Sequence, residues 1–500
     1  MIGLRINATI VIIVAFSFIC NAQWSNDKWL YGRWNNDTTW AWWGGTRLTF
    51  TNDTVSIVKD SLMKINIRGT YSGLETPDKQ YFVYTNGFTL ANKNHDTLTN
   101  GSGLGPGGIY SSWVATGYPI PYSAILLPYP GSDSLMAMFH LDIFNSGAYG
   151  HAENLYYSLI DPSGDNGQGS VLIKNQSLVN DTLSGGSINA VRHANGRDWW
   201  IIVRKGYLND YYTYLLTPLG TQLMSIQQMP GPHFIFAGQG NFSPDGKWYA
   251  CFGPDSEQFR LYQFDRCTGV LSNMQYKNII NEIAGSTIYS PNSRFIYINS
   301  VEHLWQFDLQ ASDIMASQTL IATLDTSFHD PSTGWVTGWC NSYLAQDGKI
   351  YVQNFSGVML HVINRPDSLG QNCNFVQNQI QLPTFYYASV PTYVNLNLFQ
   401  ESGSGCDTLG VGTNELTIER DKLIVVPNPA SEEALFTFNS FGSDGNLYIY
   451  NMNGSLAYAE KLIKGSTFCK VNVSGFSRGM YIANLMNSDN SLRIKFTVSK

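Results

Sequence analysis

Charged residues are scarce in this sequence of 500 amino acids, since Asp, Glu, Lys and Arg make up only 13% of it. That is about half the usual share in soluble domains. The net charge of -7 is mild and spread along the chain, with no basic stripe. Proteins that neutralise nucleic-acid phosphates need such a stripe, so we predict no nucleic-acid partner. Apolar positions at helical spacing never extend beyond about two turns, which excludes a helical bundle.

Motifs of two common enzyme classes are also missing. The sequence contains neither His-Glu-x-x-His nor the Ser-x-Asp-x-Gly-x-Thr-Trp box of propeller sialidases. Eight histidines are scattered along it, a pattern more typical of satisfied strand and loop residues than of a metal or acid/base site. The carboxylate pairs Asp161 with Asp165 and Asp325 with Asp330 could serve acid/base chemistry, or could cap turns. We predict no catalytic residue, no metal site and no cofactor.

Aromatic residues and glycine are abundant instead. Aromatics are 14% of the chain, with 13 Trp and 29 Tyr, and there are 46 Gly. Short runs of Val, Ile, Tyr, Phe and Trp alternate with Asn, Asp, Gly and Pro throughout. This composition indicates an all-β protein.

A strand-turn-strand unit recurs along the chain. Its clearest copy is NFSPDGKWYACFGPDSEQFRLYQFDRCTG at 241–269, where Asp245-Gly246 predicts a hairpin turn. Related units place turns near residues 78, 132, 196, 246, 293 and 348, at intervals of roughly 47 to 64 residues. Repetition of a β unit at about this period is typical of a propeller. Six units and the N-terminal strands predict seven blades over 24–400, closed into a ring that leaves few exposed edges.

Several segments within 24–400 are similar to a family of secreted bacterial seven-bladed propeller proteins. They include KWLYG, YFVYTNGFTLANKNHDTLTNGSGL, AVRHANGRDWWIIV, FSPDGKWYACF, QFDRCTG and INRPDSLGQNCNFVQNQIQLPTF. The resemblance implies a propeller fold but no established activity. It departs from the family in the first blade, where Tyr31-Gly32 is followed by Arg33-Trp34 and further tryptophans.

The first 22 residues read as a signal peptide. Arg5 supplies a positive region, and 10–19 form an apolar core too short to span a bilayer. Cleavage is predicted between Ala22 and Gln23. A lipid-modified Cys20 is the alternative, although Ile19 is bulkier than the lipoprotein signal prefers.

Six cysteines remain after cleavage, and an oxidising compartment would permit disulfides. Their spacing matches no known disulfide framework or zinc site. A staple between Cys373 and Cys406 is one interpretation, and buried thiols are the other.

The C-terminal region is predicted to be a linker, 401–422, followed by a small β domain, 423–500. This domain resembles the C-terminal sorting domain of the type IX secretion system, an immunoglobulin-like sandwich. The resemblance implies export across the outer membrane by the type IX machinery, removal of the tail, and release or attachment to surface lipopolysaccharide. The residues that carry it are Pro427, Asn428, Pro429, Asn453, Gly454, Gly479, Tyr481 and Lys500.

Tryptophans give the best indication of a ligand site, because flat indole rings stack on sugars or cationic groups. Packing between blades is the competing interpretation of the same residues. The leading functional hypothesis is therefore non-catalytic binding of a glycan or protein at one mouth of the ring. A hydrolase or lyase with its site in the propeller channel, and a purely structural surface component, are the alternatives. The candidate stacking residues are Trp40, Trp42, Trp43, Trp199, Trp200, Trp335 and Trp339.

Overall fold

The computed structural model describes residues 23–33, 41–51, 54–144, 151–231, 240–253, 257–279, 282, 285–392, 394–406, 423–438, 443–464, 466, 468–487 and 491–499. Strands dominate these ranges, as predicted. The helical elements are single turns, α1 (Tyr110–Trp113) and α2 (Gly164–Gly167), and two 3-10 turns, Met315–Ser317 and Gly370–Cys373. No described helix has the length and apolarity needed to cross a membrane. The predicted signal peptide and its Ala22 lie outside the described residues.

The first eleven strands of the chain form three antiparallel meanders. These strands are β1 (Lys28–Arg33), β2 (Gly44–Thr51), β3 (Thr54–Asp60); β4 (Thr70–Glu75), β5 (Phe82–Thr85), β6 (Thr89–Asn92), β7 (Thr97–Ser102); and β8 (Ala124–Pro128), β9 (Met136–Leu141), β10 (His151–Asp161), β11 (Ser170–Ser184). One parallel pairing, Thr99 with Ser170, joins the meanders β4–β7 and β8–β11 into a larger sheet.

Four further four-stranded meanders follow in chain order. Their strands are β12 (Asn189–Arg192), β13 (Trp199–Arg204), β14 (Asp210–Thr217), β15 (Gly220–Gln228); β16 (Gly240–Phe242), β17 (Trp248–Gly253), β18 (Gln258–Asp265), β19 (Val270–Asn278); β20 (Ser286–Tyr289), β21 (Phe295–Asn299), β22 (His303–Asp308), β23 (Thr319–Thr323); and β24 (Trp339–Leu344), β25 (Ile350–Asn354), β26 (Ser356–Ile363), β27 (Phe375–Tyr387). Strand β28 (Val390–Pro391) then pairs in parallel with β4.

Neighbouring meanders are held face to face by buried apolar clusters. Pairs that share a cluster follow one another around the molecule: Leu74 with Met138, Phe139 with Trp199, Trp200 with Tyr249, Phe252 with Phe307, Tyr297 with Trp339, Tyr351 with Trp29, and Leu30 with Tyr71. The last pair returns to the sheet where the series began, so the sheets close in a propeller-like arrangement. Because β13 lies between two neighbouring sheets, the residues on both of its faces are buried, all six of them.

The six predicted turns are confirmed, and each connects the first and second strands of a meander. Five of them share one local interaction, in which an Asp or Asn carboxyl or amide oxygen accepts the backbone N–H two residues later. The acceptors are Asp78, Asn195, Asp245, Asn292 and Asp347. This side-chain bond stabilises the turn without help from the rest of the fold.

Residues 394–406, which we call the strap, run from the β28 end of the ring across several of these turns. Arg266 donates from Nη2 to the Phe399 carbonyl at 2.7 Å, and the Glu401 N–H bonds to the Ala194 carbonyl at 2.8 Å. The strap ends at a disulfide between Cys406 and Cys267, which lies in the β18–β19 turn. The start of the predicted linker is therefore attached to the ring.

The interpretation in which Cys373 pairs with Cys406 is wrong. Cys373 is fully buried in the core beside β24 and β26, whereas the strap carries Cys406 to Cys267 on a surface turn. The free thiols of the described chain are all buried, as the second interpretation of Cys373 expects: Cys251, Cys340, Cys373 and Cys469.

The C-terminal strands form two sheets around one core. The first sheet contains β29 (Ile424–Val426), β30 (Glu433–Thr437) and β33 (Phe468–Asn472). The second contains β31 (Gly445–Asn451), β32 (Leu456–Leu462), β34 (Gly479–Asn487) and β35 (Ser491–Val498). Phe436 from one sheet and Phe496 from the other meet with ring centroids 5.3 Å apart.

Candidate functional site

Three of the predicted stacking tryptophans lie inside the ring. Trp199, Trp200 and Trp339 are at most 1% exposed. The indole N–H of Trp199 donates to the Pro128 carbonyl at 3.1 Å, and that of Trp200 donates to the Arg266 carbonyl at 2.7 Å. Their ring faces are covered by neighbouring sheets, so these three residues serve the packing role and present no surface to a ligand.

Two more predicted stacking residues, Trp42 and Trp43, are half-buried just before β2. Trp42 packs against a small apolar cluster that contains Val358, Met359 and Phe385. Trp40 lies outside the described residues. The segment before β2 thus contributes a partly covered indole to the ring surface.

Of the candidate stacking residues that the structure describes, Trp335 is the one open to solvent, with 75% of its surface exposed. It ends a compact turn, residues 330–335, which we call the Trp335 turn. The Asp330 N–H donates to the Trp335 carbonyl at 2.9 Å, and the Gly334 N–H donates to the Asp330 carbonyl at 2.8 Å. Both ends of the turn are therefore fixed to each other, and the indole projects from an ordered base.

The Asp330 side chain anchors this turn to the ring. It is 1% exposed, and its Oδ1 accepts the Ser332 N–H at 2.9 Å while its Oδ2 accepts the Val358 N–H at 2.8 Å. A Cβ on Gly357 would collide with the same carboxylate, so only glycine permits this approach. From the sequence, Asp330 and Asp325 are either an acid/base pair or turn caps. The hydrogen bonds of Asp330 to backbone N–H groups are those of a turn cap.

Apolar side chains extend the surface around the Trp335 turn. Phe328 and Val336 belong to the same loop, and Phe355 joins it through a hydrogen bond from its N–H to the Gly338 carbonyl at 3.2 Å. All three are more than a third exposed. Solvent-exposed aromatic groups on a fixed loop are typical of binding surfaces.

A second aromatic group was not predicted from the sequence. The Arg68 guanidinium lies 4.8 Å from the Trp113 ring centroid and 4.5 Å from that of Tyr387. The three residues are far apart in the sequence, with Arg68 before β4, Trp113 in α1 and Tyr387 at the end of β27. No local pattern in the sequence connects them.

Other titratable groups occupy structural positions. Asp161 caps a turn by accepting the Ser163 N–H at 2.9 Å, and Asp325 accepts the Ser327 N–H at 2.9 Å. Hydrogen bonds from Ser327 lower the pKa of Asp325. Burial lowers the pKa values of His140 and His361 to about 3. Among the described residues no group of three or more His, Cys, Asp or Glu is arranged to hold a metal ion.

One histidine is paired with a buried carboxylate near the ring surface. His303 Nδ1 lies 2.7 Å from Glu282 Oε1, off the direction of an ideal hydrogen bond. The same Oε1 accepts the Trp305 indole N–H at 3.1 Å. The carboxylate is buried while the imidazole is partly exposed.

The predicted sorting residues fall at defined places in the C-terminal domain. The Pro-Asn-Pro segment directly follows β29, whose residues 424–426 pair with β30. Asn428 Oδ1 accepts the Thr497 N–H at 2.8 Å. Asn453-Gly454 forms the β31–β32 turn, and Gly479 begins β34. Tyr481 is buried and donates its hydroxyl to the Ser477 carbonyl, whereas Lys500 lies outside the described residues.

Solved structures of low sequence identity resemble this chain. A protein from Lactobacillus plantarum has a TM-score of 0.45 at 13% identity, with 73% of this chain and 97% of that chain covered. A candidate 6-phosphogluconolactonase from Bacteroides uniformis has a TM-score of 0.46 at 11% identity, covering 72% and 98%. The periplasmic gluconolactonase PpgL of Pseudomonas aeruginosa has a TM-score of 0.41 at 12% identity, also covering 72% and 98%.

No curated protein matches the chain in sequence. The family that does match is described as a secretion system C-terminal sorting domain, and it aligns with residues 424–499. That range contains the two-sheet domain with Asn428, the Asn453-Gly454 turn and Gly479. The chain is therefore an exported protein, secreted or held at the outer cell surface, whose last domain is handled by the type IX secretion machinery.

Proposed function

We propose that the protein is a seven-bladed propeller that binds a glycan outside the cell without changing it chemically. The blades are β1–β3, the six four-stranded meanders that follow, and β28 as a closing strand. The C-terminal sheets form an immunoglobulin-like sandwich that is removed on export. The mature ring is released or attached to surface lipopolysaccharide, as the resemblance of the tail implies.

The exposed indole of Trp335 carries this proposal. Covering an aromatic ring with a ligand gains about 25 cal/mol for each Å² of apolar surface removed from water, so this exposed ring can contribute directly to binding. Because the turn is held at both ends and by the buried Asp330, little conformational freedom is lost on binding. A flat, fixed, exposed ring suits the C–H face of a sugar.

A glycan array with the purified full-length chain tests the proposal. We expect Trp335→Ala to lower affinity for the bound glycans at least about fivefold, since one stacked aromatic contributes on the order of 1 to 3 kcal/mol in comparable base-stacking sites. Leu62→Ala is the matched control, because Leu62 is 72% exposed and lies in a different loop. Absence of any glycan ligand, or equal loss in both variants, would contradict the proposal.

A hydrolase is the second candidate, and the pairing of His303 with Glu282 favours it. A buried carboxylate beside a partly exposed imidazole can orient that imidazole as a general base. Such an enzyme would hydrolyse chromogenic ester or glycoside substrates, and His303→Ala would abolish turnover while leaving thermal stability near that of the parent. Turnover that survives His303→Ala would exclude this site.

A further inference from the structure

A cavity of about 220 Å³ lies where the first strands of three consecutive meanders end. Its walls come from β16, β20 and β24, from Trp29 in β1, and from the start of the strap. We call it the mouth cavity. It is somewhat smaller than the pockets of drug-sized ligands, which span roughly 300 to 1,000 Å³, so it suits a small ligand. The Trp335 turn contributes nothing to its walls.

The hydroxyl of Tyr289 gives the first indication of a ligand. The side chain is 1% exposed and lines the cavity, and its oxygen has no hydrogen-bond partner among the described residues. A buried hydroxyl without a partner costs about 1 to 3 kcal/mol. A hydrogen-bonding molecule in the cavity would remove that penalty.

Oriented amides supply further polar groups. Asn395 Nδ2 donates to the Pro244 carbonyl at 2.8 Å, and Gln346 Nε2 donates to Asn26 Oδ1 at 2.8 Å. Asn241 Nδ2 donates to the Thr287 carbonyl. Each of these amides has a second N–H beyond the contact described. They are thus fixed in direction and retain capacity to bind a ligand.

The remaining walls are apolar. Trp29 is held by ring contacts with Phe50, Tyr343 and Tyr351, at centroid distances of 4.4, 5.4 and 5.6 Å. All described residues that line the cavity are uncharged. A charged ligand would lose its hydration there without gaining a counter-charge.

We propose that the mouth cavity binds a single neutral sugar residue or a closely similar polyhydroxylated molecule. Its hydroxyls would bond to Tyr289 and the amides of Asn241, Gln346 and Asn395, and its C–H groups would contact the apolar wall. This site is separate from the Trp335 turn and does not depend on glycan binding there.

The strap completes the site. Val394 and Asn395 line the cavity, and Asn26 Nδ2 donates a hydrogen bond of 3.0 Å to the Val394 carbonyl. Further along, Arg266 and the Cys267–Cys406 disulfide fix the strap to the β18–β19 turn. The cavity therefore has its full set of walls only when the strap is in place.

Titration calorimetry of the purified full-length chain with glucose, galactose, mannose and N-acetylglucosamine tests the proposal, with glucuronate as the charged probe. We expect one of the neutral sugars to bind and glucuronate to bind at least tenfold more weakly. Tyr289→Phe removes only the hydroxyl and should lower the affinity for the neutral sugar at least fivefold. Tyr207→Phe, on an exposed tyrosine in another loop, should change nothing.

Three results would overturn the proposal: no neutral sugar binds at millimolar concentration, glucuronate binds as tightly, or Tyr289→Phe leaves affinity unchanged. In the last case an increase in melting temperature would identify the hydroxyl as an unsatisfied group with no ligand. Trp335→Ala separates the two sites, because it should leave binding of the small sugar intact whether or not it abolishes glycan binding.

Discussion

The imidazole Nδ1 of His361 accepts a hydrogen bond of 2.8 Å from the backbone N–H of Asn378. Its Nε2 lies 2.7 Å from Asn354 Oδ1, to which it donates. Both ring nitrogens are therefore satisfied only in the neutral form. Protonation would place an N–H against the Asn378 N–H within the core, and burial accordingly lowers the pKa of His361 to about 3.

This arrangement predicts acid-sensitive stability. The unfolded chain binds a proton at His361 near pH 6.5, whereas the folded chain does not until about pH 3. The stabilisation is thus present above pH 6.5 and is lost progressively as pH falls toward 3. His140, whose pKa is also lowered to about 3 by burial, acts in the same direction.

Urea unfolding between pH 7 and pH 5 measures the effect, since the lowered carboxylate pKa values act only at more acidic pH. Each histidine should contribute a slope of about 1.4 kcal/mol per pH unit once the unfolded state is protonated. His361→Gln should reduce the slope by about 1.4 kcal/mol per pH unit, which corresponds to one proton. An unchanged slope in that variant would show that His361 does not titrate on unfolding.

The Cys267–Cys406 disulfide predicts redox-dependent stability of the ring. It joins residues separated by 139 positions. In the chain-entropy description, closing a loop of that length destabilises the unfolded chain by about 5 kcal/mol. We expect reductant to lower the melting temperature of the parent. The double variant Cys267→Ser/Cys406→Ser should melt at the reduced temperature and no longer respond to reductant. A reductant effect that persists in it would implicate other thiols.

Asp330 is predicted to control the order of the Trp335 turn. Asp330→Ala removes the acceptor of the buried Val358 N–H and of the Ser332 N–H, a loss of about 1 to 3 kcal/mol for each group left unsatisfied. Hydrogen exchange should increase over 325–338. Asp325→Ala is the control, since Asp325 caps an exposed turn through Ser327, and it should leave exchange near Trp335 unchanged.

Local chemistry explains which parts of the fold could be predicted from sequence. Turns such as Asn195-Gly196 and Asp245-Gly246 form through their own side chains and a glycine at positive φ, so their positions are visible without the tertiary structure. The pairing of Cys406 depends instead on the path of the strap across the ring. No pattern near Cys267 or Cys373 distinguishes the two partners.

In the candidate site, too, residue types could be predicted from the sequence, whereas exposure to solvent depended on the tertiary structure. Trp199 and Trp335 are equivalent as sequence features, yet one is buried against a neighbouring sheet and the other projects from a turn. Which tryptophan is exposed depends on contacts between blades. The mouth cavity likewise joins residues from β1, three meanders and the strap, so it could be recognised only once the ring was closed.

Truncation of the buried Trp200 and of the exposed Trp335 is predicted to affect stability to very different extents. Trp200→Ala removes a buried ring that packs against Gly269, where a Cβ would lie 2.7 Å from the indole, and should destabilise the protein by about 3 to 5 kcal/mol. Trp335→Ala should change the free energy of unfolding by no more than about 0.5 kcal/mol, because its ring is largely in water. Chemical denaturation monitored by circular dichroism distinguishes the two. A large destabilisation by Trp335→Ala would mean that the indole supports the loop, and its exposure would then no longer argue for a ligand.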